Sequence, residues 1–189
     1  TIVGSNFSES DLSRADLRGA ELVGSLFTRA TLAQARMQGV EAHGASFTQA
    51  DLSRANLSDA ELTSARLNQV RAMQANFSGA ELIAADLSGG DFSGASFEDA
   101  DLSGARLSGG RFSRADFSDA DFSRTNLRGA DLSQARGLTQ DQINDACSDS
   151  STRLPGGLTP RSCGGGRGGG PRPVGPPRPP LSINLARLE

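Results

Sequence analysis

Histidine and cysteine, common choices for a general base, a thiol nucleophile or a metal ligand, are few in this chain of 189 residues. There is one histidine, His43, two residues after Glu41, and there are two cysteines, Cys147 and Cys163. Catalysis requires such groups to converge in a concave pocket, and no histidine stands near either cysteine, as it would in a zinc site. The sequence therefore predicts no enzymatic activity, no metal and no cofactor. In an oxidising compartment the two cysteines could form a disulfide, and the sequence leaves that pairing open.

The dominant pattern is a beat of five residues, as in "ADLSRANLSDAEL" at 50–62. Every fifth residue from Ile2 to Leu132 gives 27 positions, and all but four of them hold Leu or Phe. The residue two places earlier is nearly always Ala or another small residue. A helix has 3.6 residues per turn and a strand alternates its faces every two residues, so neither keeps residues five apart on one side. The beat predicts a chain that bends once every five residues, and the serine that commonly follows the Leu or Phe is expected to satisfy backbone groups at the bend.

If each bend is near a right angle, four of these five-residue units close one square coil. One coil cannot bury its own interior, but a stack of coils can, and stacking at about 4.8 Å pairs the backbones as parallel strands do. Residues four units apart then lie in columns. Three phenylalanine columns are predicted in the core: Phe7, Phe27 and Phe47; Phe77, Phe97 and Phe117; and Phe92 with Phe112.

Two units place alanine where Leu or Phe is the rule, at Ala42 and Ala72. Each is preceded two residues earlier by a valine, Val40 or Val70, at a position that is otherwise small. We interpret each pair as an exchange of volume within one unit, because cores tolerate changes that conserve total volume.

The repeated motif A(D/N)LSx, present as "ADLSR", "ANLSD", "ADLSG" and "ADFSD", resembles that of the pentapeptide repeat family over roughly residues 2–136. The resemblance implies an all-β solenoid: a right-handed quadrilateral parallel β-helix with the Leu/Phe and small residues facing inward. It also implies a protein without enzymatic activity. The 27 units, four to a coil, give about 6.75 coils, a rod about 30 Å long at strand spacing.

The repeats define a first domain at 1–137, and two further segments follow it. In 138–163, Thr139 and Gln142 form a predicted capping box for a short helix that caps the last coil, with Ile143, Ala146 and Cys147 on one face. The stretch "GLTQDQINDAC" followed by "TRLPGGL" resembles the ending of bacterial pentapeptide repeat proteins. Residues 164–189 are rich in Gly, Pro and Arg, a composition that predicts a disordered tail.

The outward positions of the repeats carry most of the charge. Residues 1–137 hold 18 acidic residues and 13 Arg, a net charge of −5. One outward column carries a carboxylate in six consecutive coils: Glu21, Glu41, Glu61, Glu81, Asp101 and Asp121. Beside this acid line lie Val23, His43 and Ile83. We interpret the acid line and these neighbours as a candidate partner-binding face; the alternative is that repeat duplication copied a common outward residue.

Two functions from different classes are considered in detail, and a third, a purely structural element of an envelope or larger assembly, also stays open. The first is a non-enzymatic interaction scaffold that uses the outer faces of the rigid β-helix, with a protein partner that is unknown and, on charge, basic. The second, implied by the family resemblance, is a DNA mimic that binds DNA gyrase and confers quinolone resistance. Three features weigh against the second: the repeat register is uninterrupted by loops, the C-terminal segment is a short cap, and 13 Arg dilute the acidic surface.

The remaining predictions concern partners and location. An acidic rod would repel phosphates, so direct nucleic-acid binding by the rod is not expected, and no apolar stretch predicts a membrane span. The N-terminal end shows no cap comparable with 138–163, so we expect either residues before Thr1 or a homodimer formed through that end. A cytoplasmic location is favoured, with a periplasmic or secreted location as the alternative because the sequence lacks an initial Met.

Overall fold

The computed structural model describes residues 2–163, and its backbone turns once every five residues. In each turn from Ser10 to Ala135 the N–H of the fourth residue donates to the carbonyl of the first, as Ala15 N does to Leu12 O at 3.0 Å. The third residue of the turn has a positive φ at every one of the 26 positions from Gly4 to Gly129. A positive φ at that position is the mark of a type II turn. The five-residue beat is therefore a run of tight turns, and Arg, Gln and Asp occupy many of them as well as glycine.

The coils stack in a register of four repeats. Single-residue parallel bridges join equivalent residues of successive coils, from Asn6 with Leu26 to Asp116 with Arg136, one bridge on each side of each coil. Leu52 N donates to Arg71 O at 2.6 Å, and Arg71 N donates to Ala50 O at 3.0 Å, so the bridges form a continuous ladder. Four bridged columns run along the rod, which gives it four faces.

We name the faces by the first bridged residue of each column. Face A begins at Glu21, face B at Asn6, face C at Asp11 and face D at Asp16. Each face ends in a turn that forms an edge of the rod. Edge D–A, which separates face D from face A, consists of Gly19, Gly39, Asp59, Gly79, Asp99 and Asp119.

The interior is filled by the Leu/Phe column and the small residue of each unit, nearly all of them fully buried from Leu22 to Leu132. The three predicted phenylalanine columns are confirmed. Consecutive rings in each column are stacked at centroid distances between 5.0 and 5.3 Å. Like side chains thus pack on like along the axis, as a solenoid core requires.

Side-chain volumes are matched within single units. Val40 and Ala42 are both fully buried, as the exchange of volume predicts. The reverse exchange occurs at Gly90, where an added Cβ would lie 2.5 Å from Cε2 of Phe92. Gly110 stands in the same relation to Phe112, at 2.7 Å. Glycine is needed at these two positions because the phenylalanine ring occupies the space of a Cβ.

One helix, α1, is present in the described residues, at Gln140–Asp145. Thr139 is its N-cap, and both hydrogen bonds of a capping box with Gln142 are present. The Gln142 amide also donates to the carbonyls of Phe117 and Ala120, at 3.0 and 2.9 Å, and Ile143 is fully buried. The helix is thereby fixed to the open edge of the last coil. No helix among the described residues is long and apolar enough to cross a membrane.

The prediction that Cys147 lies on the helix face is wrong. The helix ends at Asp145, and Cys147 is extended and bridged to Asn126. Its N–H donates to Thr125 O and its carbonyl accepts from Leu127 N. These hydrogen bonds to the coil below take the place of helical hydrogen bonds.

The cysteine pairing left open by the sequence is present as a Cys147–Cys163 disulfide, with the Cα atoms 4.7 Å apart. A parallel bridge between Ser148 and Ser162 lies beside it. Residues 146–163 thus continue the stack above the last full coil. The predicted disorder of 164–189 falls outside the described residues.

Candidate protein-interaction face

The acid line is one bridged column on face A. The bridges pair Glu21 with Glu41, Glu41 with Glu61, and so on without a gap to Asp121. Glu21, Glu41 and Glu81 are exposed, and the other three are partly exposed. Consecutive members stand one strand spacing apart, about 4.8 Å. Like charges that face each other across a strand pair destabilise it, so this column opposes the stability of the stack.

The aspartates and glutamates of the line differ in what they do for the turn. Where an Asp or Asn precedes the central Leu/Phe, its side chain accepts a hydrogen bond from the backbone N–H two residues later, as Asp51 does from Ser53 at 2.9 Å. Asp101 and Asp121 do the same for Ser103 and Ser123. Within residues 2–163, no such bond is made by the four glutamates: Glu21, Glu41, Glu61 and Glu81. In these four units the turn N–H therefore lacks the side-chain acceptor that an Asp or Asn provides in the repeats that have one.

One contact connects the line to its neighbouring column. His43 Nε2 lies 2.8 Å from Glu61 Oε2, and both side chains are less than half exposed. The sequence analysis placed both residues on the face but did not pair them, because they belong to adjacent coils and stand 18 positions apart. Within the described residues, no group of three or more His, Cys, Asp or Glu side chains is placed to hold a metal ion.

The bridged column on face C, unlike the acid line, contains both acidic and basic residues. It reads Asp11, Thr31, Asp51, Arg71, Asp91, Arg111 and Asp131, and Arg153 continues it. Arg71 lies 3.8 Å from Asp51, and Arg153 lies 3.4 Å from Asp131. This column compensates its own charge, whereas the acid line contains no Arg.

A second set of carboxylates borders the acid line. Asp59, Asp99 and Asp119 lie on edge D–A, and all three are exposed. Sequence reasoning missed them, although "DAE" at 59–61 and "DAD" at 99–101 and 119–121 place each of them two residues before a member of the line. Recognising them requires knowing that the third turn residue and the next outward residue share an edge.

Apolar side chains border the other side of the line. Ile83 is 36% exposed, and Val23 is partly buried. The predicted residues Glu21, Val23, Glu41, His43, Glu61, Glu81, Ile83, Asp101 and Asp121 therefore lie on one face.

Charge is divided unevenly among the faces, each counted with the turn that ends it. Face A has six acidic residues and one Arg, and face D has six and three. Face B has two acidic residues and four Arg, and face C has four and five. The net charges are −5 and −3 on the acidic pair of faces and +2 and +1 on the other pair, so the rod is acidic along one side only.

By its fold and its flat outer faces, the protein is a parallel β-helix of the solenoid class. Residues 5–41, 43–79, 60–99, 75–114 and 95–134 match the family of pentapeptide repeats, in eight copies. The chain belongs to the pentapeptide repeat family, whose solved members are right-handed quadrilateral β-helices.

Three solved structures illustrate the likeness. HetL, a pentapeptide repeat protein involved in heterocyst differentiation regulation in the cyanobacterium Nostoc sp., is 25% identical with a TM-score of 0.50, over 85% of this chain and 83% of its own. Trypsin-treated QnrB1, a plasmid-mediated fluoroquinolone resistance protein, is 20% identical with a TM-score of 0.40, over 82% and 89%. A thylakoid-lumen pentapeptide repeat protein of Arabidopsis thaliana is 25% identical with a TM-score of 0.22, over 79% and 81%. No curated protein sequence matches the chain.

Proposed function

We propose that the protein is a non-enzymatic interaction scaffold whose face A binds a basic protein partner. The observation that carries the proposal is the acid line, in which four consecutive coils have glutamate at a bridged position where no other column of the rod has one. These glutamates give up the turn hydrogen bond and add repulsion between coils. A partner that supplies Lys or Arg would relieve the repulsion, and Ile83 and Val23 would add apolar contact beside it.

The rigidity of the rod supports this role. Every coil is joined to the next by backbone hydrogen bonds on all four faces, so the spacing of the carboxylates is fixed before binding. A surface already held in its binding geometry loses little conformational entropy when a partner docks.

The alternative function, a DNA mimic that binds DNA gyrase, is less well supported. Duplex DNA carries phosphates all round its axis, whereas faces B and C of this rod carry a net positive charge. The turns also follow each other from Gly4 to Gly129 without an inserted loop.

The test compares the partners captured from a bacterial extract by the full chain and by two variants of equal net charge. In the face variant, Glu21, Glu41, Glu61 and Glu81 become Gln, and Asp101 and Asp121 become Asn. In the control, six acidic residues outside face A become Asn: Asp11, Asp16, Asp51, Asp91, Asp116 and Asp131. Asn keeps the acceptor oxygen that the turns use, so both variants should fold.

We expect a partner that the full chain and the control capture and that the face variant loses. Equal capture by all three proteins would show that the acid line is not the binding surface. Purified gyrase subunits form a separate arm of the test, and their binding to the full chain but not to the face variant would favour the DNA-mimic function instead.

A further inference from the structure

A shallow groove of about 550 Å³ runs along the edge between faces B and C. Its floor contains Ala50, Val70 and Gly90, and the charged column of face C forms one wall. The other wall is formed by the turn residues at the end of face B. The groove is open because two of these turn residues, Gly89 and Gly109, have no side chain.

The charged wall of the groove has a period of two coils. Arg71 and Arg111 alternate with Asp51 and Asp91 along it. Two coils correspond to about 9.6 Å at strand spacing. Arg71 is 65% exposed and reaches Asp51 only at 3.8 Å, and Arg111 makes no ion pair within residues 2–163. The wall therefore offers two cations at a regular spacing.

The diagonally opposite edge of the rod, edge D–A, has the same period. Asp59 and Asp99 stand two coils apart, and glycines, Gly39 and Gly79, precede each of them by one coil. The Asp59 carboxylate lies over Gly79, with Oδ1 2.7 Å from the place of a Cβ there. Both aspartates are exposed, and neither makes an ion pair within the described part of the chain. This edge is a ridge of turns. It lies two faces away from the groove, on the opposite side of the rod.

We propose that the groove receives edge D–A of a second copy of this chain, so that the rods lie parallel and side by side. A shift of about 3 Å along the axis, taken from the strand spacing, sets Asp59 against Arg71 and Asp99 against Arg111. The same shift sets the wall aspartate Asp51 against Gly39, which has open space around it, and Asp91 against Gly79, beside which the Asp59 carboxylate lies.

One like-charged pair remains at the upper end of this contact, between Asp131 and Asp119. Arg153 lies 3.4 Å from Asp131 and offsets it. Charges of opposite sign thus meet at two levels, and Asp51 meets a glycine with open space around it, whereas Asp91 lies near the Asp59 carboxylate beside Gly79.

The geometry of the contact decides the form of the assembly. Because the two surfaces lie on opposite edges of the rod, simple translation brings one onto the other. Such a contact joins different surfaces of the two copies, and it leaves a free groove and a free ridge at either end. The assembly is a row of rods that grows with concentration. It uses neither the acid line nor its apolar neighbours, and it goes beyond the proposed function.

The test is sedimentation velocity on the full chain over a range of protein concentrations. We expect the sedimentation coefficient to rise with protein concentration at about 20 mM NaCl and to stay at the monomer value at about 300 mM, because salt screens exposed ion pairs. Two charge-reversal variants, Asp59→Arg with Asp99→Arg and Arg71→Glu with Arg111→Glu, should each stay monomeric.

The decisive sample is an equal mixture of the two variants, in which each reversed surface meets a reversed partner and association should return. The substitutions suit the fold, since Arg already occupies the turn position at Arg14, Arg54 and Arg114 and Glu occupies the bridged position on face A. The control, Arg66→Glu with Arg106→Glu, reverses two bridged arginines of the same spacing on face B and should associate like the unmodified chain.

A chain that stays monomeric at low salt would overturn the proposal. So would association that survives either reversal, or a mixture that fails to associate. Loss of association in the glutamine and asparagine variant of face A would also overturn it, because that variant leaves the groove and edge D–A unchanged.

Discussion

At the scale of the residue, the Asp or Asn of the repeat has a defined task. The N–H of the residue after the central Leu/Phe has no partner in the ladder between coils, and the side chain of the Asp or Asn supplies one, as Asn56 does for Ser58 at 3.1 Å. In several repeats the serine hydroxyl also donates to the same oxygen, as Ser93 does to Asp91 at 2.6 Å. The expectation that the serine hydroxyl satisfies the backbone is therefore wrong, because the carboxylate performs that task.

This task leads to a prediction for Glu81, which lies between Glu61 and Asp101 in the acid line. Glu81→Asn should raise the free energy of unfolding by about 1 kcal/mol, because it gains the turn hydrogen bond and removes a repelling charge. Urea denaturation measures the change. Glu81→Gln, which removes the charge but keeps the longer side chain, should gain less. Equal gains would show that the turn hydrogen bond contributes nothing.

A second residue-scale prediction concerns Gly90. Gly90→Ala should destabilise the protein by about 1–3 kcal/mol, the usual range for an overpacked core, because the new methyl would collide with the Phe92 ring. Adding Phe92→Leu should recover much of the loss, since Ala130 and Leu132 already pair in this way in the same column. Additive losses in the double variant, measured by thermal unfolding, would contradict the exchange of volume.

At the scale of the element, the C-terminal cap depends on the disulfide. Cys147 belongs to the ladder above Asn126, and the bond to Cys163 encloses a separation of 16 residues. Closing a loop of this size lowers the entropy of the unfolded chain, by an amount worth about 3 kcal/mol. Without the bond, Ser162 and Cys163 are held by the bridge to Ser148, while Ile143 and Ala146 stay buried against the last coil.

We therefore expect Cys163→Ser to loosen the cap before the rod. Hydrogen exchange should become faster at the amides of Cys147 and Arg153, which donate to the last coil, and stay unchanged at mid-rod amides such as that of Glu61. Reduction of the unmodified chain should have the same effect. Uniformly faster exchange along the rod would show that the disulfide stabilises the whole stack and not the cap alone.

The columns could be predicted from sequence because a register of four repeats converts chain separation directly into position. Phe27 above Phe7 and Glu41 above Glu21 follow from counting. The path after Gly137 could not be counted. From sequence alone, Cys147 fits the face of the helix as well as it fits an extended segment. It is extended because its backbone provides the hydrogen-bond partners of the Thr125 carbonyl and the Leu127 N–H at the edge of the last coil.

At the scale of the whole molecule, part of the stability of the folded rod depends on ionised aspartates. The Arg18 guanidinium, hydrogen-bonded to Asp16, lowers the pKa of that carboxyl from 3.8 to about 2. Hydrogen bonds from Ser118 and Ser133 lower the pKa of Asp116 and Asp131 in the same direction. Each folded pKa lies below its ordinary value, so these groups stabilise the fold above that value and lose their contribution as pH falls.

The melting temperature should accordingly fall as pH decreases from about 4 towards about 2, the interval set by the two pKa values of Asp16. In Asp16→Asn the fall should be smaller, because one of the titrating groups is gone. Arg18→Gln should also flatten the profile, since it removes the main cause of the shift. Calorimetry across this pH range measures all three proteins, and identical profiles would contradict the assignment.

The four-repeat register also governs how the gene of such a rod can change length. An insertion of four whole repeats adds one coil and leaves every column above it in line. An insertion of a single repeat rotates everything above it by a quarter turn, so that the upper part of the acid line would continue above face B. Tolerated duplications should therefore have lengths that are multiples of four repeats. The acid line is unbroken over six coils, and only insertions of such lengths keep it unbroken.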